Sequence, residues 1–259
     1  MIALKTTTDI AHLRRAGRLL ARTLDAVIRT VKPGVSTAEL DALAERLIRQ
    51  GGARPAFKGY RARPSDTPFP TTLCTSVNDE VVHTPAIGRK LSAGDIVGVD
   101  IGLALPAGGR EYFVDMAQTV AVGGISAEAQ QLLDATRGAM DAGIAAVQPG
   151  HTVRDIGAAI QAYVAPHGYG IVRRLVGHGV GFAVHEEPRV PNFVDRNEPE
   201  VVLRPGLVIA IEPMVNLGGS EIVTRTDGWT IVTKDGSLSA HFEHTVAVTE
   251  NGHEVLTLP

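Results

Sequence analysis

Four acidic residues stand where an acid is costly. Asp100 ends the run Gly94-Asp95-Ile96-Val97-Gly98-Val99-Asp100, and Glu212 ends Gly206-Leu207-Val208-Ile209-Ala210-Ile211-Glu212. Asp115 follows Tyr112-Phe113-Val114, and Glu243 follows Phe242. A carboxylate in apolar surroundings needs a hydrogen-bonding partner, an opposite charge or a metal. Any one of the four could be a salt-bridged acid; four together repel one another unless cations lie among them. His178 sits in Gly177-His178-Gly179-Val180-Gly181, where glycines leave the ring unobstructed and let backbone approach closely. Carboxylates with one imidazole suit hard or borderline divalent ions. His185 opens His185-Glu186-Glu187-Pro188, and His83 closes Ser76-Val77-Asn78-Asp79-Glu80-Val81-Val82-His83. A lone histidine is more often structural than catalytic, but three beside four such acids are hard to explain that way. A zinc finger is excluded, because Cys74 is the only cysteine. Neither a Gly-x-Ser-x-Gly nucleophile elbow nor a P-loop is present.

The elements that must carry these residues repeat. Val31-Lys32-Pro33-Gly34 recurs as Val147-Gln148-Pro149-Gly150. After it, Ser36 pairs with Thr152, Glu39 with Asp155, Leu40 with Ile156 and Gly52 with Gly168. In each copy Pro-Gly ends one helix, a hydroxyl residue caps the next, and an acid three positions on completes a capping box. Ile10, Leu13, Gly17, Leu20, Leu24 and Ile28 line one helical face, and Leu133, Met140, Ile144 and Val147 line its counterpart. The runs ending in Asp100 and Glu212 echo each other, with Leu91 and Leu203 each three residues before the glycine. They are short and β-branched and read as buried strands. Further strands are expected at residues 119–122, 230–233 and 245–249, and loops at 61–72 and 106–110. The chain therefore reads as one domain over residues 1–259, with halves at about 8–122 and 123–250 related by a pseudo-two-fold axis. Each half sends a carboxylate from a central strand towards the shared middle.

Composition sets the outer bounds. The chain has 259 residues, 44% of them hydrophobic but only 4% aromatic, so the core is built from Ala, Val, Ile and Leu. The net charge of −3 with no basic run gives no reason to expect nucleic acid or anionic lipid as a main partner. One cysteine allows no internal disulfide, which fits a reducing compartment. No signal peptide or membrane-length apolar segment is read, so a cytoplasmic protein is expected.

Several of these motifs, taken together, resemble type I methionine aminopeptidases. They are the segment from Ser76 to His83, Gly94-Asp95-Ile96-Val97 through Asp100, Gly177-His178-Gly179-Val180-Gly181 and His185-Glu186-Glu187-Pro188. Ile211-Glu212-Pro213-Met214-Val215 and Trp229 through Ser239-Ala240-His241-Phe242-Glu243-His244-Thr245 complete the set. The resemblance runs from about Leu13 to Leu258. It implies an α+β pita-bread fold, with pseudo-symmetric halves and a curved, mainly antiparallel sheet backed by helices. It implies removal of the first methionine from nascent polypeptides, preferentially before a small second residue, through water activated by two divalent ions (Mn, Fe, Co or similar). It assigns Asp100, Asp115, His178, Glu212 and Glu243 as metal ligands, with Asp115 and Glu243 bridging. Glu212, His83 and His185 would handle protons and contact substrate, and Phe57, Tyr60, Cys74 and Trp229 would form the methionine pocket. A monomer acting on new chains, at the ribosome or after it, is implied, with no sequence-specific nucleic acid and no membrane. Prolidase-like enzymes and non-enzymatic binding proteins of the same fold are the competing readings. The sequence departs from the family pattern at Thr84-Pro85 after His83, where glycine is more usual. It departs also in a longer Asp100–Asp115 connection, in a longer segment between Tyr60 and Cys74, and at Val184, which stands where several members carry an aromatic and is expected beside the pocket.

Overall fold

The computed structural model describes residues 2–61 and 63–259; Met1, and Ala62 in the 61–72 loop, lie outside them. The first half comprises α1 (Thr7–Ile28), α2 (Thr37–Gln50), β1 (Arg54–Pro55), β2 (Leu73–Val77), β3 (Glu80–Val82), β4 (Ile96–Ala107) and β5 (Arg110–Ala121). The second begins with α3 (Ala127–Ala145), α4 (Val153–Val164), β6 (Gly170–Ile171), β7 (Gly177–Gly179), β8 (Glu186–Val190) and β9 (Val208–Ile211). It ends with β10 (Met214–Asn216), β11 (Ile222–Thr224), β12 (Ile231–Thr233), β13 (Ser239–Thr249) and β14 (Gly252–Val255). Among the described residues no helix is long and apolar enough to cross a membrane.

The expected helix starts are built from the expected residues. The Glu39 carboxylate accepts the Ser36 N–H at 2.8 Å while the Glu39 N–H donates to Ser36 Oγ at 3.3 Å. In the second copy Asp155 accepts the Thr152 N–H at 2.7 Å. The two Pro-Gly turns are tied down alike: Gly34 N–H donates to Leu91 O at 2.8 Å, and Gly150 N–H to Leu203 O at 2.9 Å. The leucine before each strand glycine is thus the anchor for the turn before each second helix. Leu13, Leu20 and Leu24 of α1 are fully buried over the β4–β5 hairpin. Gly17 belongs to that face for a steric reason, since a Cβ there would lie 2.0 Å from Leu256 O.

An eleven-stranded antiparallel sheet spans both halves, its spine running β1-β4-β5-β13-β9-β7-β8. A small sheet of β11-β12-β3 stands beside it. β5 and β13 meet at the middle in the register Phe242↔Gln118, Glu243↔Ala117 and His244↔Met116. Helix α1 packs on β4 and β5, and α3 on β13.

Three boundaries differ from the sequence reading. The run read as ending at Asp100 continues as β4 to Ala107, so Asp100 lies inside the strand. The strand expected at 119–122 begins at Arg110, and the loop expected at 106–110 is only a tight hairpin turn. Gly108 and Gly109, at φ of 57° and 82°, supply the two left-handed residues that such a turn needs, so the strands run on through Pro106. The strand expected at 245–249 starts at Ser239, which puts Glu243 inside it instead of just before it.

Candidate active site

Strand alternation assembles the centre. Cys74 on β2 pairs with Asp100 on β4, Asp100 with Ala117 on β5, and Ala117 with Glu243 on β13. The four form a row across the sheet, with Asp115 two residues along β5 on the same face. Ala117, the smallest member of the row, keeps the space between the two flanking acids open. Glu212 follows β9 directly, and its backbone carbonyl accepts Asn192 Nδ2 at 3.1 Å. His178 lies in β7, beside β9 in the sheet.

A reciprocal pair of threonine hydroxyls fixes the seam. Thr245 Oγ1 accepts the Asp115 N–H at 3.0 Å and donates to Asp115 O at 2.8 Å. Thr119 Oγ1 accepts the His241 N–H at 2.9 Å and donates to His241 O at 2.9 Å. Under the pseudo-two-fold, then, the counterpart of Asp115 is His241, and that of Glu243 is Ala117.

The electrostatics are those of a site short of positive charge. Asp100, Asp115 and Glu243 are buried, and among the described residues Asp100 Oδ1, Asp115 Oδ1 and Glu243 Oε1 have no hydrogen-bond partner. Buried polar atoms are rarely left so. Burial raises the Asp100 carboxyl to about 7. It holds Asp115, Glu212 and Glu243 well above the usual carboxylate range, and the nearby acids push all three further up. Burial also drives the Cys74 thiol up, helped by the charges of Asp100 and Asp115.

The imidazoles are pushed the other way. Burial lowers His83 to about 4 and His178 to about 3, and lowers His185 as well. His178 Nδ1 lies 2.9 Å from Gly179 O, an acceptor only, so Nδ1 carries the proton and Nε2 presents a lone pair. That Nε2 is 3.4 Å from Glu212 Oε1. Donor atoms of Asp115, His178 and Glu243 all lie within 4.8 Å of one another, a group able to hold a cation. The orphaned carboxylate oxygens and the neutral imidazole together fit a hard or borderline divalent ion.

All eleven residues singled out in the sequence line one cavity of about 770 Å³. Phe57, Tyr60, Cys74 and Trp229 form one wall with Phe69, whose ring meets Trp229 edge-on at 5.2 Å. Tyr60 Oη lies 2.7 Å from His185 Nδ1. His83 takes a left-handed backbone, φ 60°, and still faces the cavity with Thr84-Pro85 behind it. Val184 is buried but does not line the cavity, contrary to the expectation that it adjoins the pocket.

Two contributors escaped the sequence reading. Phe69 was hidden in the proline-rich loop, where a lone aromatic between Pro68 and Pro70 was the available signal. His241 is buried, its Nε2 3.7 Å from Glu212 Oε2 and 4.0 Å from Glu243 Oε2 and without a hydrogen-bond partner among the described residues. Its signal was the strand period, two residues before Glu243 on the same face.

Comparisons with known proteins agree with this geometry. A family profile described as metallopeptidase family M24 matches residues 11–250. A methionine aminopeptidase of Clostridium acetobutylicum is 44% identical, over 100% of this chain and 99% of its own. One from Aquifex aeolicus is 46% identical, over 99% of this chain and 98% of its own. The crystal structure of methionine aminopeptidase from Rickettsia prowazekii superposes with a TM-score of 0.92 at 38% identity, covering 100% of both chains. Prolidase from Pyrococcus furiosus gives 0.76 at 25% identity, and the match takes in 99% of this chain but only 65% of that one.

Proposed function

The chain belongs to metallopeptidase family M24, and from that premise we propose that it removes the N-terminal methionine from new polypeptides, preferentially when the second residue is small. The observation that carries the reading is the set of buried, partnerless carboxylate oxygens around a neutral His178 at the floor of a cavity walled by Phe57, Tyr60, Phe69 and Trp229. Identity of 44–46% to methionine aminopeptidases, against 25% to the prolidase, supports it over the prolidase reading.

Two divalent ions would be held by Asp100, Asp115, His178, Glu212 and Glu243. Such ions supply Lewis-acid activation of water and of the scissile carbonyl. The remaining work falls to the chain. Glu212 would take the proton of the attacking water. Tyr60 Oη lies 2.7 Å from His185 Nδ1; in the tautomer that accepts the Tyr60 hydroxyl proton, His185 Nε2–H is available to the developing oxyanion. His83, neutral at physiological pH, assists on the amine side. The aromatic wall and Cys74 receive the unbranched thioether side chain.

Residues 1–259 act as one catalytic unit with halves at about 8–122 and 123–250. A monomer is proposed, and the lone cysteine fits the cytoplasm, where new chains emerge from the ribosome. The test is turnover of Met-Ala-Ser against Ala-Pro and Gly-Pro peptides, in chelated protein and after adding back Mn, Fe or Co. Metal-dependent release of methionine is expected. Preference for the proline peptides, or full activity in protein shown to be metal-free, would overturn the reading.

A further inference from the structure

We propose that Lys5 is a positioning residue for His185, holding the loop that carries it through a buried ion pair with Glu186; the proposal rests on the role given to His185 above. The segment before α1 is threaded across the second half, where Lys5 N–H donates to Gly206 O at 2.7 Å. The Lys5 side chain is 1% exposed, and its Nζ lies 2.5 Å from Glu186 Oε2. Ala3 O accepts from the same ammonium at 3.1 Å, and the Phe182 ring centroid is 5.0 Å from it. The other oxygen of Glu186 accepts the N–H groups of Phe182 at 2.5 Å and Ala183 at 3.0 Å. One carboxylate thus ties the N-terminal segment to the turn that ends in His185.

The packing is equally specific. A Cβ on Gly181 would lie 2.5 Å from Lys5 Cε, so the lysine stem lies flush against the last glycine of the Gly177–Gly181 motif. Lys5 does not line the cavity and cannot touch substrate there. Its influence on chemistry has to pass through the loop. At the far end of that loop the His185 ring stands 4.4 Å from the His178 ring and is hydrogen-bonded to Tyr60. Removing the ammonium leaves the Glu186 charge uncompensated in a largely buried position. The loop then relaxes, and His185 moves relative to the carboxylates.

The experiment uses the full chain loaded with Mn. In Lys5→Met, kcat for Met-Ala-Ser is expected to fall on the order of 10- to 100-fold, as for a small misplacement of a reacting group, with KM changing less. Lys5→Arg restores most of the loss, and bound metal is unchanged in both. In a His185→Ala background, Lys5→Met adds no further loss, because both act through one group. Amide exchange gives a readout independent of activity: Phe182 and Ala183 exchange faster in Lys5→Met. If Lys5→Met fails to fold, Glu186→Gln keeps an acceptor for the two amides, removes the charge that Lys5 faces, and is expected to show the same non-additivity with His185→Ala. Wild-type kcat in Lys5→Met, losses that add in the double variant, loss of metal, or unchanged exchange at Phe182 and Ala183 would each overturn the proposal. So would unimpaired turnover in His185→Ala. Failure of the wild-type protein to cleave Met-Ala-Ser would instead sink the functional reading, leaving the exchange measurement to decide whether Lys5 pins the loop.

Discussion

Asp100→Asn in chelator-treated protein isolates the electrostatic cost of the centre. Burial lifts the Asp100 carboxyl from 3.8 to about 7, so without metal the folded state holds this proton more tightly than the unfolded chain does. The resulting stabilisation is fully present below about pH 4 and is lost as pH rises towards 7. At 1.36 kcal/mol per unit the whole effect is about 4 kcal/mol, of which about 2 kcal/mol falls between pH 5 and 7 and nearly 3 kcal/mol by pH 8. Asparagine has the same shape and does not titrate, so the variant lacks this slope. Urea unfolding at pH 5, 6, 7 and 8 in the presence of chelator measures it. The wild-type stability should fall more steeply than that of the variant by about 3 kcal/mol over this range. Asp115, Glu212 and Glu243 each feel the Asp100 charge, so its removal relaxes them as well, and the gap widens towards pH 8. Parallel curves for the two proteins would refute the argument, for they would mean that Asp100 is neutralised by something other than a proton or a metal.

Asp115→Asn or Glu243→Gln should abolish turnover and lower metal content, because each removes a negative charge from the proposed ligand set; near-normal turnover with bound metal would show the ligand assignment to be wrong. His83→Ala should keep its metal while turnover drops roughly 10²–10⁴-fold, as for a lost acid–base group; metal analysis beside kinetics separates that role from ligation. Gly179→Ala puts a Cβ 2.3 Å from Glu187 O and 3.1 Å from Glu186 O, both backbone atoms. It should cost about 1–3 kcal/mol in denaturant unfolding, as overpacking does, and displace His178 with it.

The polar skeleton of the centre was legible in the sequence because each part has a short-range signature. Acids at the ends of β-branched runs, a histidine among glycines and a duplicated Pro-Gly turn can all be read without knowing which strands pair. What could not be read was register. Ala117 matters because it faces Glu243 across the seam, and His241 because it is the counterpart of Asp115. Both facts depend on how strands far apart in sequence align. The hairpin at Gly108-Gly109 was misread for a different reason: proline and glycine together signal a loop, whereas two left-handed glycines close a tight turn and let both strands continue. Phe69 shows the same limit for side chains, since only its meeting with Trp229 gives the loop residue a place in the wall.

The threonine clasp between β5 and β13 also dictates an order of assembly. It joins residues 122 and 130 positions apart in the chain, whereas Asp100 and Asp115 share a hairpin that closes locally. Contacts of such long separation form late, after the loop-closure entropy has been met by other packing. A growing chain that has released only the first half can pack α1, α2 and the β4–β5 hairpin, but β5 is then an open edge and its acids face nothing. The centre exists only once β13 has docked, so catalytic competence and completion of the fold arrive in the same event, and a half-made molecule has no partial activity to lose.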